Sequence, residues 1–394
     1  MHIRAEVPRP RGSFWTDPVL RAWAFQIIAV VAVVALGWFL FENTQANLAK
    51  RGITSGFAFL DNSAGFGIAQ HLIPYQESNT YGRVFWVGLL NTLLVSVIGI
   101  VLATLLGFVI GVARLSPNWL VSRLAAVYIE IFRNIPPLLQ IFFWYFAVML
   151  ALPGPRQSLN VADSFFLNSR GLYLPAPIVA QGGSVFFVAL ILAVVGGLWL
   201  LRWSRKHFEQ TGQTFPVALG WLVLLVGLPG LTVLLTGSPV SWSVPELAGF
   251  NFRGGWVFIP ELLALTLALT VYTAAFIAEN VRSGIKAVSQ GQTEAALSLG
   301  LPPAKTLRLV IIPQAMRVII PPLTSQYLNL VKNSSLAAGI GYPDMVSLFA
   351  GTVLNQTGQA IEVIAITMSV YLAISISISL LMNGYNRRMA LIER

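Results

Sequence analysis

The chain has 394 residues, of which 56% are hydrophobic and 10% charged, with a formal net charge of +10 and no cysteine. A soluble domain carries about a quarter charged residues, so a chain this apolar needs lipid around much of its outer surface. Disulfides, thiolate metal sites and cysteine nucleophiles are excluded, and three scattered histidines, His2, His71 and His207, argue against a zinc site or a Ser-His-Asp triad.

An apolar helix needs about 20 residues to cross the hydrocarbon layer. Taken in chain order, the sequence offers eight such runs: Trp23–Phe41, Phe85–Ala113, Leu124–Leu152, Ser184–Leu201, Phe215–Leu235, Phe258–Ala278, Met316–Gly339 and Ile361–Met382. They are too long and too uniform for barrel strands, because backbone groups in lipid must be satisfied within one helix or around a closed barrel. The expected fold class is therefore an all-α membrane protein with about eight transmembrane helices. On a soluble domain the positive charge would suggest nucleic acid. Here the basic residues fall between apolar blocks and read as topology signals, with no nucleic-acid partner.

With the N-terminus placed inside, Arg114 and Arg123, then Arg202, Arg205 and Lys206, then Arg282, Lys286, Lys305, Arg308 and Arg317, then Arg387, Arg388 and Arg394 all fall on the inner side. The outer side holds Lys50, Arg51, Arg83, Arg156, Arg170 and Arg253. That asymmetry places both termini in the cytoplasm. The expected organisation is a cytoplasmic tail over residues 1–21, an uncleaved anchor helix and periplasmic loop over 22–84, a first core part over 85–152, an insert with two extra spans over 153–257, and a second core part over 258–394. Residues 42–84 and 237–257 read as outer loops. Gly107 with Gly111 and Ser375 with Ser379, each four residues apart, read as helix-packing pairs.

The longest inner connection runs from Glu279 to Arg317 and does not read as an ordinary loop. Thr293–Leu299 is a short helix that Thr293 or Ser289 can cap. Gly300 is its left-handed stop, and Pro302 and Pro303 prevent continuation, with Pro303 opening a second helix. That helix is expected to run to Ile312, where Pro313 breaks it. Ala295 and Ala296 beside the acidic Glu294 offer a small flat surface for docking into a groove of another protein. The chain has no G-x-x-x-x-G-K-[ST] motif and cannot hold ATP in a P-loop itself.

Three charges fall in or near apolar spans. Glu130 and Arg133 are three apart on one helix face and can pair locally, and Pro136-Pro137 should kink that helix. Lys332 lies deep in the seventh span among Gln326, Asn329, Asn333, Ser334 and Ser335. Such residues are costly against lipid and mark a subunit interface or a polar pathway. A pathway for a zwitterion needs acceptors and donors, and Asn91, Gln140, Gln326, Asn333 and Ser335 are the candidates. Glu130, Arg133 and Lys332 are candidates for a gate or for structural charges.

The run Glu294-Ala295-Ala296, then Gly300, then Val310 and Pro313 resembles the signature loop of bacterial ATP-binding-cassette importer permeases. Asn91-Thr92-Leu93, Glu130 through Pro136, Glu279 with Arg282-Ser283-Gly284, Gly291-Gln292 and Lys332 through Leu336 are similar to the polar-amino-acid subfamily, with Asn333 where many members carry Asp. Gly56 through Leu60, Ala64-Gly65-Phe66 and the two inserted spans resemble the larger permease subunits of general L-amino acid importers of Gram-negative bacteria. The resemblance implies a five-helix core, made here of spans two, three, six, seven and eight, plus three extra helices in a bacterial inner membrane. It implies a non-catalytic subunit with no cofactor of its own, ATP and Mg being held by partner ATPase subunits that dock on the coupling loop, residues 282–315, through Glu294, Ala295, Ala296, Gly300 and Pro313. A second, related permease and a periplasmic amino-acid-binding protein complete the implied assembly. The competing reading is an ion-gradient-driven secondary transporter, for which only Glu130 offers an intramembrane carboxylate.

Overall fold

The computed structural model describes residues 18–50, 56–180, 183–213 and 215–389. Of the expected tail, residues 1–17 lie outside the described residues, whereas Pro18 already opens the first helix, α1 (Pro18–Lys50). That helix also extends beyond the expected Phe41, into what reads as loop in the sequence. Seven helices among the described residues are long and apolar enough to cross a membrane.

The second span is α2 (Tyr81–Ala113). The third expected span is split into α3 (Trp119–Asn134) and α4 (Pro137–Phe142), which widens into a π-helical stretch over Phe143–Met149. The break sits at Ile135, whose extended backbone (φ −96°, ψ 127°) is the conformation a residue before proline prefers. The two proline nitrogens supply no donors, and Gln140 Nε2 fills part of the deficit by donating to the carbonyls of Phe132 (3.0 Å) and Ile135 (2.9 Å).

The insert carries α5 (Gly183–Thr211), then α6 (Val217–Leu222) and α7 (Leu228–Thr236) joined by a π turn. Around it lies a feature missing from the all-α expectation. Eight short strands, β1 (Leu159–Val161), β2 (Phe165–Asn168), β3 (Gly171–Leu174), β4 (Ala176–Val179), β5 (Val240–Ser243), β6 (Glu246–Ala248), β7 (Asn251–Arg253) and β8 (Trp256–Phe258), form antiparallel sheets in the order β1-β2-β3-β8, β4-β5 and β6-β7. Tyr173 and Phe252 pack at 4.9 Å between ring centroids at their centre. Strands of three or four residues give too little alternation to be read from sequence.

The core is the packing of α2 against α8 (Pro260–Lys286). Gly107 and Gly111 face it: a Cβ on Gly107 would lie 2.6 Å from Ile277 Cβ, and one on Gly111 would lie 2.7 Å from Val281 Cβ. The glycines thus permit the close backbone approach on which helix association in lipid depends. After α8 come the short α9 (Gln290–Ser298) and α10 (Pro303–Thr306), a π turn over Leu307–Ile311, and α11 (Ile312–Asn333). The break expected at Pro313 is absent, since the chain stays helical from Pro303 to Ile340. The π turn contains Leu309, the residue four before Pro313 whose carbonyl a proline ring would strike, so the wide turn relieves that clash and the lost donor. The last described elements are α12 (Leu354–Thr357) and α13 (Ala360–Met389), and the Ile-Ser alternation of Ala373–Ser379 lies within α13 as expected.

A second core joins the segment 56–80 to α2 and α13 through Phe59, Ile68, Val84, Phe349 and Val363. The segment is pinned by Gly56 N donating to Glu362 Oε1 at 2.7 Å and by Asn91 Nδ2 donating to Gln70 O at 2.8 Å.

Candidate functional site

The loop between α8 and α11 forms a compact projection at one end of the bundle. Ser289 precedes α9 with extended backbone, although its hydroxyl makes no cap bond. The C-terminal stop is complete: Gly300 has φ +78°, Gly300 N donates to Leu297 O at 2.9 Å, and Leu301 N donates to Ala296 O at 3.1 Å. These paired bonds close the helix and turn the chain sharply toward Pro303. Gln314 Nε2 donates to Gln292 Oε1 at 3.0 Å and ties the start of α11 to α9.

The exposed face of α9 differs from the expected one. Glu294 and Ala295 are exposed, but Ala296 is 4% exposed and faces its own chain. The apolar knob of the surface is Leu299, 82% exposed, which the sequence reading passed over. A large apolar residue immediately before a stop glycine is the signal that would have found it. Between α9 and the α2–α3 connection lies an open groove of about 1010 Å³, lined by Val112, Ser116, Pro117, Lys286, Thr293 and Leu297 among others.

The polar candidates do not converge on one place. Asn91 is fully buried and spends both donors on the carbonyls of Gln70 and Pro343 (2.8 and 2.9 Å), leaving Oδ1 without a partner among the described residues. Gln140 spends its donors on the α3–α4 break. Gln326, Asn333 and Ser335 stay together on α11 and the turn that follows, with Ser335 Oγ donating to Lys332 O at 2.6 Å. On the same helix Ser325, Asn329 and Lys332 are exposed, at spacings of four and three residues, and form one stripe.

The local pairing of Glu130 with Arg133 is not formed. Asn134 Nδ2 donates to Glu130 Oε2 at 3.3 Å, and the Arg133 guanidinium lies 5.3 Å from the centroid of the Phe276 ring on α8. The ion pair among the described residues is instead Arg282 with Glu279, in which Arg282 Nε donates to Oε2 at 2.9 Å and Nη2 to Oε1. The sequence reading also missed a buried acid, Asp344. Its position just ahead of an apolar run is the visible cue. Asp344 Oδ1 accepts from Ser347 N at 2.8 Å, and burial pushes its carboxyl up to about 7.

Helices long and apolar enough to span, packed through a glycine-lined contact, define a helical membrane protein. Residues 99–391 match the family described as binding-protein-dependent transport system inner membrane component, and the chain belongs to that family. It is 66% identical, over the whole of both chains, to the putative amino-acid ABC transporter permease protein YhdX of Escherichia coli (strain K12). It is 51% identical, again over both whole chains, to the general L-amino acid transport system permease protein AapQ of Rhizobium johnstonii. It is 42% identical to the glutamate/glutamine/aspartate/asparagine transport system permease protein BztB of Rhodobacter capsulatus, over 96% of each chain. The protein is thus a multi-pass inner-membrane transport subunit.

Proposed function

We propose that this chain forms half of the translocation pathway of an ATP-driven importer of polar L-amino acids. In this reading a second, related permease supplies the other half, a periplasmic binding protein delivers the solute, and both termini lie in the cytoplasm. Separate ATPase subunits hold ATP and Mg and close on α9. The observation that carries the proposal is the projection itself. Glu294, Ala295 and Leu299 are exposed on a helix locked at Gly300, one end leading into α8 and the other into the continuous helix that begins at Pro303. A push delivered at Pro303 passes into α11 without a break, because Pro313 does not interrupt that helix.

The α11 stripe is the proposed pathway wall. Lys332 on an exposed face of a spanning helix would cost about 2.5–3.5 kcal/mol against lipid at the bilayer centre, which favours water or a partner permease as its neighbour. Its ammonium suits the substrate carboxylate, and Asn329, Gln326 and Asn333 suit the ammonium and amide groups. The amino-acid assignment draws on the names of the three relatives.

The test is uptake into vesicles holding the complete transporter. Glu294→Lys is expected to leave the chain inserted but to abolish ATP-dependent uptake. Uptake at the wild-type rate would overturn the docking reading. A panel of labelled solutes, with and without this chain, tests the cargo, and loss of only sugar or metal uptake would overturn the amino-acid assignment.

A further inference from the structure

The two inserted limbs form a hairpin of their own. The ring of Trp221 packs over Gly197, where an added Cβ would lie 2.7 Å from it, and Leu200 packs over Gly220 at 2.4 Å. The limb Val217–Thr236 has 20 residues, about the number a bilayer core needs. Its neighbour α5 has 29, about 43 Å at 1.5 Å per residue. The start of α5 is held at the β4–β5 strands, where Ala180 N donates to Pro239 O at 3.0 Å, so the excess length falls at its C-terminal end, which overshoots the hydrocarbon from about Arg202 onward.

That overshoot has a distinct chemistry. Arg202, Arg205 and Lys206 are all exposed. The ion pair among the described residues is elsewhere, so none of the three pairs with a carboxylate, including Glu209 one turn on. Along the same helix Trp199, Trp203 and His207 stack at four-residue spacing, with ring centroids 6.5 and 5.0 Å apart. Phe215, from the connection to α6, closes edge-on against Trp203 at 5.5 Å. The ladder starts on the lipid-facing surface, where Trp199 is 64% exposed, and ends among the cations. Tryptophan at the edge of the hydrocarbon, beside unpaired guanidinium and ammonium groups, matches a lipid whose tail is apolar and whose head is an anion.

We propose that the overshooting end of α5 is a binding site for the phosphate headgroup of an anionic phospholipid. Arg202, Arg205 and Lys206 hold the phosphate, and Trp199 and Trp203 line the adjoining acyl chains. The site gives the inserted hairpin a task, which is to tether the transporter to charged lipid in one leaflet. The assignment of that leaflet as cytoplasmic rests on the orientation proposed above.

The experiment uses the complete transporter in bilayer nanodiscs of phosphatidylcholine with a minority of phosphatidylglycerol, and native mass spectrometry counts the phosphatidylglycerol retained per complex. Replacing Arg202, Arg205 and Lys206 together by Gln is expected to weaken the preference about a hundredfold, since each Lys or Arg near an anionic surface is worth roughly fivefold. The double change Arg205→Gln with Lys206→Gln keeps Arg202 at the boundary to hold topology, is expected to give a smaller fall, and carries the test if the triple variant fails to assemble. Equal retention by wild type and variants overturns the proposal, as does displacement of the lipid by millimolar inorganic phosphate, which would make free phosphate the ligand. Labelling of Gln213→Cys by an impermeant maleimide from the periplasmic side would overturn the orientation while leaving the lipid result intact.

Discussion

The hydroxyl of Tyr371 on α13 donates to Asp344 Oδ2 at 3.0 Å, joining the last span to the connection that follows α11. The neighbouring bonds extend the tie to α2: Met345 N donates to Thr92 Oγ1 at 3.0 Å, and Tyr342 OH donates to Asn91 O at 3.1 Å. Asp344 is 0% exposed and has no ion pair among the described residues, so the polar knot holds together on hydrogen bonds alone.

Stability should therefore carry a pH signature from Asp344. Its carboxyl, pushed up to about 7 in the folded protein, stands above the ordinary aspartate value of 3.8 because burial disfavours the charged form. The folded state holds the proton more tightly, so this contribution is fully present below 3.8 and is lost as pH rises through about 7. Asp344→Asn keeps the shape and removes the titration. Thermal unfolding of the purified transporter from pH 5 to 8 should show a fall in wild type that the variant lacks, and parallel curves would refute the assignment.

Gly111→Val should destabilise the α2–α8 contact more than most single changes in the membrane. The new Cβ meets Val281 side-chain carbon and, at 2.8 Å, the Ala278 carbonyl, which cannot swing aside. Overpacking of this kind costs about 1–3 kcal/mol. The readout is a lower unfolding temperature, with Gly37→Val as the control, because nothing lies within 4 Å of that glycine.

Gln140→Leu strips two donors from the α3–α4 break and leaves the Phe132 and Ile135 carbonyls without that partner. Each buried polar group left unsatisfied costs about 1–3 kcal/mol. Proteolysis or hydrogen exchange localised to Phe132–Gln140 should increase, while Gln140→Glu, which keeps the acceptor and loses the donor pair, should resemble Leu and not wild type.

At Gly300 the order of substitutions is the informative quantity. Nothing lies within 4 Å of a Cβ placed there, so the cost is confined to the backbone at φ +78°. Left-handed geometry costs an ordinary residue about 1–2 kcal/mol, and Asn adopts it more readily. Gly300→Asn should keep more uptake than Gly300→Val, with both variants inserted at wild-type levels. Equal loss in the two would point to the surface of the turn and not to its backbone.

The spans, the glycine pair and the stop at Gly300 are legible in the sequence because each rests on local chemistry: long apolar runs, small residues at helical spacing, and a glycine before two prolines. The faces are less legible. Ala295 and Ala296 are adjacent and alike, and no local rule says which points outward; the packing of α9 turns Ala296 in and leaves Ala295 and Leu299 out. Glu130 and Arg133 had the spacing to pair, yet Phe276 on another helix offers Arg133 a ring.

What the sequence by itself determined is the membrane solvent, the apolar runs and the place where a short, glycine-stopped helix interrupts them, since these follow from composition and chain geometry near each residue. Only the tertiary structure decided that Pro313 lies within a continuous helix, that Asn91 and Gln140 serve carbonyls of their own chain, and that short strands frame the insert. Those outcomes depend on groups far apart in the chain, such as Asn91 with Pro343 and Leu172 with Phe258. A hydrogen bond between distant residues has no signature in the order of residues around either one.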